Sequence, residues 1–391
     1  MNQKDSQYPR IAWLLTSAFY YWQPMLKELT KLFPHTMTFT PRWHGYAPGF
    51  EDSFSIEIVG KRKIISLQKS EIGYGSNFTY LPISIVNYLF KFKPDIIFSN
   101  SFGLWTLICL LFKPLGRWRV VIAYEGSSPG VDYLNSPVRL VLRRMMLKTS
   151  DACITNSRSG ERYLIETLNA SQDRVFVHPY EVPCAASLLG NISKNSEKIV
   201  SFQKPILLFV GSLTPRKGLL QLLEACVLLN QQGLDSYSVV IVGDGPQKEL
   251  LEDFSKKNNL AGNIHWIGKL DYGQLGFYFD QADAFILPTL EDTWGVVVLE
   301  AMAFGKAILC SERAGASELV IEGQNGFRFD PYNQQQVANV IKQFMDDQNL
   351  SKSMGQKSQE LMKQYSPEAA AQFLSHVTKA VLENHKTKTN Y

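Results

Sequence analysis

The chain has 391 residues, 45% hydrophobic and 12% aromatic, which is too long for one ordinary core and too apolar for general disorder. A formal net charge of +4 hides an asymmetry: residues 1–200 hold 23 Lys and Arg against 15 Asp and Glu, the remainder 17 against 21. Five scattered cysteines without a CxxC pair argue against a disulfide framework or a zinc site, and no stretch approaches the roughly 20 apolar residues of a membrane span. With no leader pattern at the N-terminus, a cytoplasmic protein is expected. The basic first half fits an anionic membrane surface or an anionic acceptor, and equally an ordinary surface.

Short apolar runs alternate with amphipathic stretches, the pattern of βα units around parallel sheets. In the first half, strands are expected at 11–15, 36–40, 63–67, 96–99, 119–124, 152–155 and 175–177. The loop after the first strand, Thr16 to Gln23, has no glycine but an aromatic cluster that could stack on an acceptor or simply pack. Asn100 and Ser101 follow the strand at 96–99. Glu125 follows the strand at 119–124, where its carboxylate either orients a reacting hydroxyl or caps the next turn. Residues 104–112 are apolar until Lys113-Pro114. Residues 137–148 mix four cations with apolar side chains at helical spacing. That segment reads as a peripheral membrane contact or as a surface helix whose apolar positions face the sheet.

The pattern lapses between 183 and 204, which marks a linker. In the second half strands are expected at 206–210, 238–242, 264–267, 284–287 and 307–309, with helices near 219–229, 247–259 and 334–346. Gly211 ends the first of these strands, and Arg216-Lys217 follows at a helix start. Two cations beside amide donors make an anion clamp, although a solvated pair is the plainer alternative. Gly243 and Gly268 lie at the next two strand ends and permit close backbone approach. After the strand at 284–287 comes Thr289-Leu-Glu-Asp292, then a helix opening at Trp294-Gly295 with Glu300 inside it. Amides for phosphate and two carboxylates for hydroxyls suit a nucleotide sugar. Ser366 and Pro367 open a last helix. No histidine pair has metal-ligand spacing, no Asp-x-Asp loop is evident, and no nucleic-acid partner is expected.

The run from Pro288 to Gly305 closely resembles the acidic-pair signature of the family 4 retaining glycosyltransferases. Phe209 to Gly218, Ile241 to Pro246, His265 to Gly268, Arg313 to Glu318 and Gly323 to Gly326 resemble that family's other motifs in order. Two departures stand out: Asp292 replaces the usual Glu, with Glu291 just before it, and Ser212 replaces the usual Arg. The resemblance implies a GT-B fold, with two doubly wound Rossmann-like domains facing across a cleft. The expected division is an acceptor-binding domain at 1–185, a linker at 186–204, a nucleotide-sugar domain at 205–365 and a helix at 366–391 crossing back.

It further implies transfer from a nucleoside-diphosphate sugar, UDP-linked by preference and GDP-linked otherwise, with anomeric configuration retained. The acceptor would be a glycan, a lipid-linked or a small molecule, as in polysaccharide biosynthesis. Arg216 and Lys217 would hold the diphosphate and Glu300 the ribose. Asp292 and the amides of Thr293, Trp294, Gly295 and Val296 would hold the sugar, and no metal would be needed. A nucleotide-sugar epimerase on the same scaffold, or a catalytically silent binding subunit, are the alternative expectations.

Overall fold

Most apolar runs of the first half become strands because they can be buried within a parallel sheet. The computed structural model describes residues 8–68, 74, 76–189, 202–347 and 349–388. Its strands are β1 (Ile11–Leu14), β2 (Thr36–Thr40), β3 (Ser55–Ile58), β4 (Lys63–Gln68), β5 (Ser76–Tyr80), β6 (Ile96–Asn100), β7 (Arg119–Tyr124), β8 (Ala152–Thr155) and β9 (Val175–Val177). Seven of them form a sheet in the order β3-β2-β1-β6-β7-β8-β9, with every pair parallel. Strand order reverses between β1 and β6, the switch point of a doubly wound sheet.

The second half contributes β10 (Ile206–Val210), β11 (Ser238–Val242), β12 (Ile264–Gly268), β13 (Ala284–Leu287), β14 (Ala307–Ser311) and β15 (Gly326–Phe329). Their order is β12-β11-β10-β13-β14-β15, again parallel, with the switch point between β10 and β13. Every residue of β11, β13 and β14 is buried.

Three strands escape sequence expectation, and one expected strand plays another part. β3 is an exposed edge, too polar to register as a core strand. The run at 63–67 forms no part of the parallel sheet; it pairs antiparallel with β5 as a separate hairpin. β15 reads as a continuation of the turn at Gly323. The helix Leu104–Gly116 also runs past Lys113 and keeps Pro114 in its last turn.

The chain divides into two compact units, residues 1–69, 75–182 and 365–391 in the first, and 70–74 and 183–364 in the second. The helix Ala185–Leu189 opens the expected linker and packs on the helix Leu275–Gln281 of its own unit. Residues 190–201 of that linker lie outside the described residues. The last helix, Pro367–Lys388, belongs to the first unit, where it packs along the helix Gln23–Leu32.

Candidate functional site

In the second unit, the ends of β10 and β13 flank the switch point, and the loops leaving them carry the cations and the acid. Beyond β10 the chain makes a tight turn, Pro215–Lys217, closed by Gly218 at φ 69°. A Cβ on Gly218 would stand 1.9 Å from the Pro288 carbonyl oxygen, so only glycine fits this turn against the β13 loop. The carbonyl of Arg216 accepts from the Thr289 hydroxyl at 2.9 Å and from the Leu290 amide at 2.8 Å, stitching the two loops together. At the neighbouring strand end, a Cβ on Gly243 would lie 1.8 Å from the Gly211 carbonyl oxygen. The Gly243 amide donates to the Gly268 carbonyl at 2.8 Å, so the three expected glycines line adjacent strand ends.

The stitched loops bring charges together. Lys217 Nζ lies 2.5 Å from Asp292 Oδ2, and Arg216 Nη1 lies 3.4 Å from the same oxygen. Arg216 Nη1 also donates to the Glu291 carbonyl at 2.7 Å. Asp292 is only 7% exposed. Burial pushes its carboxyl up, but the Lys217 and Arg216 charges, with hydrogen bonds from Lys217 and Tyr74, outweigh that and hold it below its usual range. The result is a buried carboxylate balanced by two cations at a strand-end switch point.

The chain then enters the helix Val296–Ala303, capped by Gly295 at φ 101° with no side-chain cap. The first amides of such a helix have no intrahelical partner and carry the positive end of its dipole. The Trp294 side chain is core, 1% exposed, so at that position only the backbone amide is offered as donor, beside the amides of Thr293, Gly295 and Val296. Glu300, in the second turn, is buried and accepts from the Tyr272 hydroxyl at 3.0 Å. Burial pushes its pKa up to about 7, with the Tyr272 hydrogen bond opposing.

Sequence reasoning missed Tyr74, which groups with the second unit. Its ring lies over the Arg216 guanidinium at 4.2 Å, and its hydroxyl donates to Asp292 Oδ1 at 3.1 Å and accepts from the Thr293 amide at 3.3 Å. Nothing local marks it, since it stands 218 positions from Asp292. Tyr272 and Thr289 were missed for the same reason: their roles are contacts across loops.

In the first unit, Asn100 and Glu125 follow neighbouring strands, and the Asn100 amide donates to Glu125 Oε1 at 3.0 Å. Ser101 turns away from the strand at φ 58°. In the aromatic loop after β1, Trp22 packs, 1% exposed against Trp13 and Tyr180, while Phe19, Tyr20 and Tyr21 stay half-exposed. Among the described residues, no three His, Cys, Asp or Glu side chains gather as a metal site.

Comparison with solved structures decides the architecture. The chain superposes on HepE of Anabaena, solved in complex with UDP, with a TM-score of 0.73 at 16% identity, covering 95% of this chain and 100% of that one. The fold is GT-B. Within this GT-B chain, residues 191–361 match the family model described as glycosyl transferases group 1. The chain is also 25% identical over 237 residues to a protein of Methanocaldococcus jannaschii named a glycosyltransferase, covering 57% of this chain and 64% of that protein. It is 25% identical to the alpha-D-kanosaminyltransferase of Streptomyces kanamyceticus, over 46% of each chain. The GT-B chain thus spans about half to two thirds of the length of these curated relatives. The family model covers residues 191–361, less than half of the chain, so it marks a likeness of the second half to group 1 glycosyl transferases.

Proposed function

We propose that this chain is a retaining glycosyltransferase that takes a sugar from a nucleoside diphosphate, UDP by preference. The observation that carries the reading is the meeting of Arg216, Lys217 and Asp292 between β10 and β13, beside the open N-terminus of the helix Val296–Ala303. In the reaction the bond from the anomeric carbon to the diphosphate oxygen breaks. A bond from that carbon to an acceptor hydroxyl forms, and the hydroxyl proton passes to the departing diphosphate. Negative charge therefore grows on the diphosphate, and preorganised cations and amides are worth most where charge grows. Arg216 offers a planar fork and Lys217 a point charge to that diphosphate. Glu300 accepts from the ribose hydroxyls, and Asp292 with the amides of Thr293 to Val296 holds the sugar. Glu125, steadied by Asn100, orients the acceptor, whether glycan, lipid-linked or small molecule. HepE's complex with UDP supports the donor class.

The test is release of free UDP from a UDP-sugar by the purified chain. Release that requires an acceptor supports transfer. Interconversion of donor sugars without release, or no turnover of any donor, would replace the proposal by epimerisation or by a binding subunit.

Two further expectations arise from the same geometry. With two cations and helix amides facing the diphosphate, activity should persist in excess EDTA; loss restored by Mg²⁺ or Mn²⁺ would overturn a metal-free step. Asp292→Asn should lower transfer on the order of 100-fold without weakening UDP binding, since it leaves Arg216 and Lys217 free for the diphosphate, and Glu291→Gln should be mild. Steady-state kinetics beside UDP titration decides it, and the reverse order of damage would make Glu291 the sugar-binding carboxylate.

A further inference from the structure

The helix Pro137–Thr149 in the first unit is oriented against the ordinary expectation for its sequence. Its apolar residues Val138, Val141, Leu142 and Met145 recur three and four positions apart, a single stripe that would normally face the sheet. Here that stripe points outward, and the inward positions are Arg143, Met146 and Leu147. The reason lies in Arg143. Its guanidinium is buried, donating to the backbone carbonyls of Asp132 at 3.2 Å and Val131 at 2.8 Å, and to the Tyr163 hydroxyl at 2.6 Å. These bonds fix the rotation of the helix and leave the apolar stripe in water.

A second helix, Leu104–Gly116, extends the face. Lys113 on it reaches the Thr149 carbonyl at 2.9 Å and Asp151 at 2.7 Å, which ties the two helices together near their C-terminal ends. Exposure runs to 80% at Val138, 71% at Leu115, 66% at Leu111 and 61% at Met145. Several exposed large apolar side chains on two adjoining helices make a patch that a folded chain usually keeps for a partner.

Charge identifies the partner. Between Asp95 and Glu125, and again between Asp132 and Asp151, the sequence contains no acid, whereas Arg117, Arg144 and Lys148 are exposed at the rim. Arg144 and Lys148 also line, with Arg174, a cavity of about 290 Å³ whose lining includes no carboxylate. Arg144 and Arg174 are fixed there by backbone carbonyls, which engage only part of each guanidinium's five donors. An apolar face rimmed by cations matches an anionic bilayer, where hydrocarbon takes the stripe and phosphates take the rim. A second copy of the chain would fit poorly, since a two-fold contact would set the same cations opposite one another.

We propose that the outer face of these two helices docks on an anionic lipid surface, with a lipid phosphate held over the Arg144–Lys148–Arg174 cavity. The proposal stands apart from the donor reading, because its test measures no turnover. The full chain is sedimented with vesicles of phosphatidylcholine, or of phosphatidylcholine with phosphatidylglycerol. Binding is expected only with the anionic lipid. Val141→Asp with Met145→Asp should abolish it, and Arg144→Ala with Lys148→Ala should weaken it by about thirtyfold, at ~1 kcal/mol per cation. All four positions are exposed, so melting temperatures matching the parent are expected and confirm folding. Equal sedimentation of parent and variants, or no binding to anionic vesicles, overturns the proposal. So does a parent that is dimeric without lipid and made monomeric by the aspartates, for then the face belongs to a second copy.

Discussion

Replacing Lys217 by alanine is expected to lower kcat/KM by roughly 100-fold or more, and Arg216→Ala by a similar factor. In the proposed reaction each removes a charge-assisted donor from the departing diphosphate, on the order of 3 kcal/mol of stabilisation that grows with the charge. The two changes should differ in what they do to the resting protein. Lys217 is the nearer cation to the buried Asp292, at 2.5 Å against 3.4 Å for Arg216. Its loss leaves a carboxylate with one cation, and a buried charge that loses a partner is costly. Lys217→Ala should therefore lower the melting temperature as well as the rate. Adding Asp292→Asn to it should recover stability without recovering activity. Recovery of both would show that Lys217 matters only as a structural counter-ion, and near-normal kinetics in both alanine variants would place the anion site elsewhere.

The second large effect concerns Glu300, whose carboxyl is pushed up to about 7 by burial. In the unfolded chain a glutamate ionises near 4.3, so from there to about 7 the folded state keeps a proton that the unfolded state has released. Stability then falls as pH rises through that window and levels off above it, by on the order of 3 kcal/mol. Glu300→Gln removes the titration. The variant should melt close to the parent at mildly acidic pH and several degrees above it at pH above about 7. Ligand binding should run the opposite way. Ribose hydroxyls donate to the carboxylate and not to the acid, so UDP affinity in the parent should rise with pH up to the same point and release a proton. In the glutamine variant that pH dependence should vanish and affinity should be lower. Thermal melting and calorimetric titration across the pH range check both arms. Parallel melting curves for parent and variant would refute the raised pKa, and pH-independent UDP binding by the parent would remove Glu300 from the ribose.

Much of the candidate site could be read in sequence because its residues fall in short local runs. Gly211, Arg216 and Lys217 fall within one strand-turn unit, and Asp292 to Glu300 within one loop-helix unit, so spacing alone sets each group. The strands at β7, β8, β10, β11 and β13 fall where their apolar runs do, because a strand buried on both faces needs a nearly unbroken run, whereas β2 follows Met37 and Phe39 alternating with threonines. β3, β5 and β15 were not legible because edges and hairpins are held by pairing to a partner rather than by their own pattern. Tyr74 and Tyr272 were illegible for a related reason: a lone tyrosine acquires its role only from what the fold sets beside it.

The sequence by itself determined the alternation of strand and helix, the order of the motifs and the residue types gathered at the candidate site. These depend on interactions within a few residues, where periodicity and turn chemistry are decisive. Only the tertiary structure decided which charges balance one another, that Asp292 answers to both Arg216 and Lys217, and that burial lifts Glu300 toward neutrality. It also decided the rotation of the helix Pro137–Thr149. Its pattern would ordinarily set the apolar stripe against the sheet, and the buried bonds of Arg143 to carbonyls outside that helix turn the apolar side to the surface.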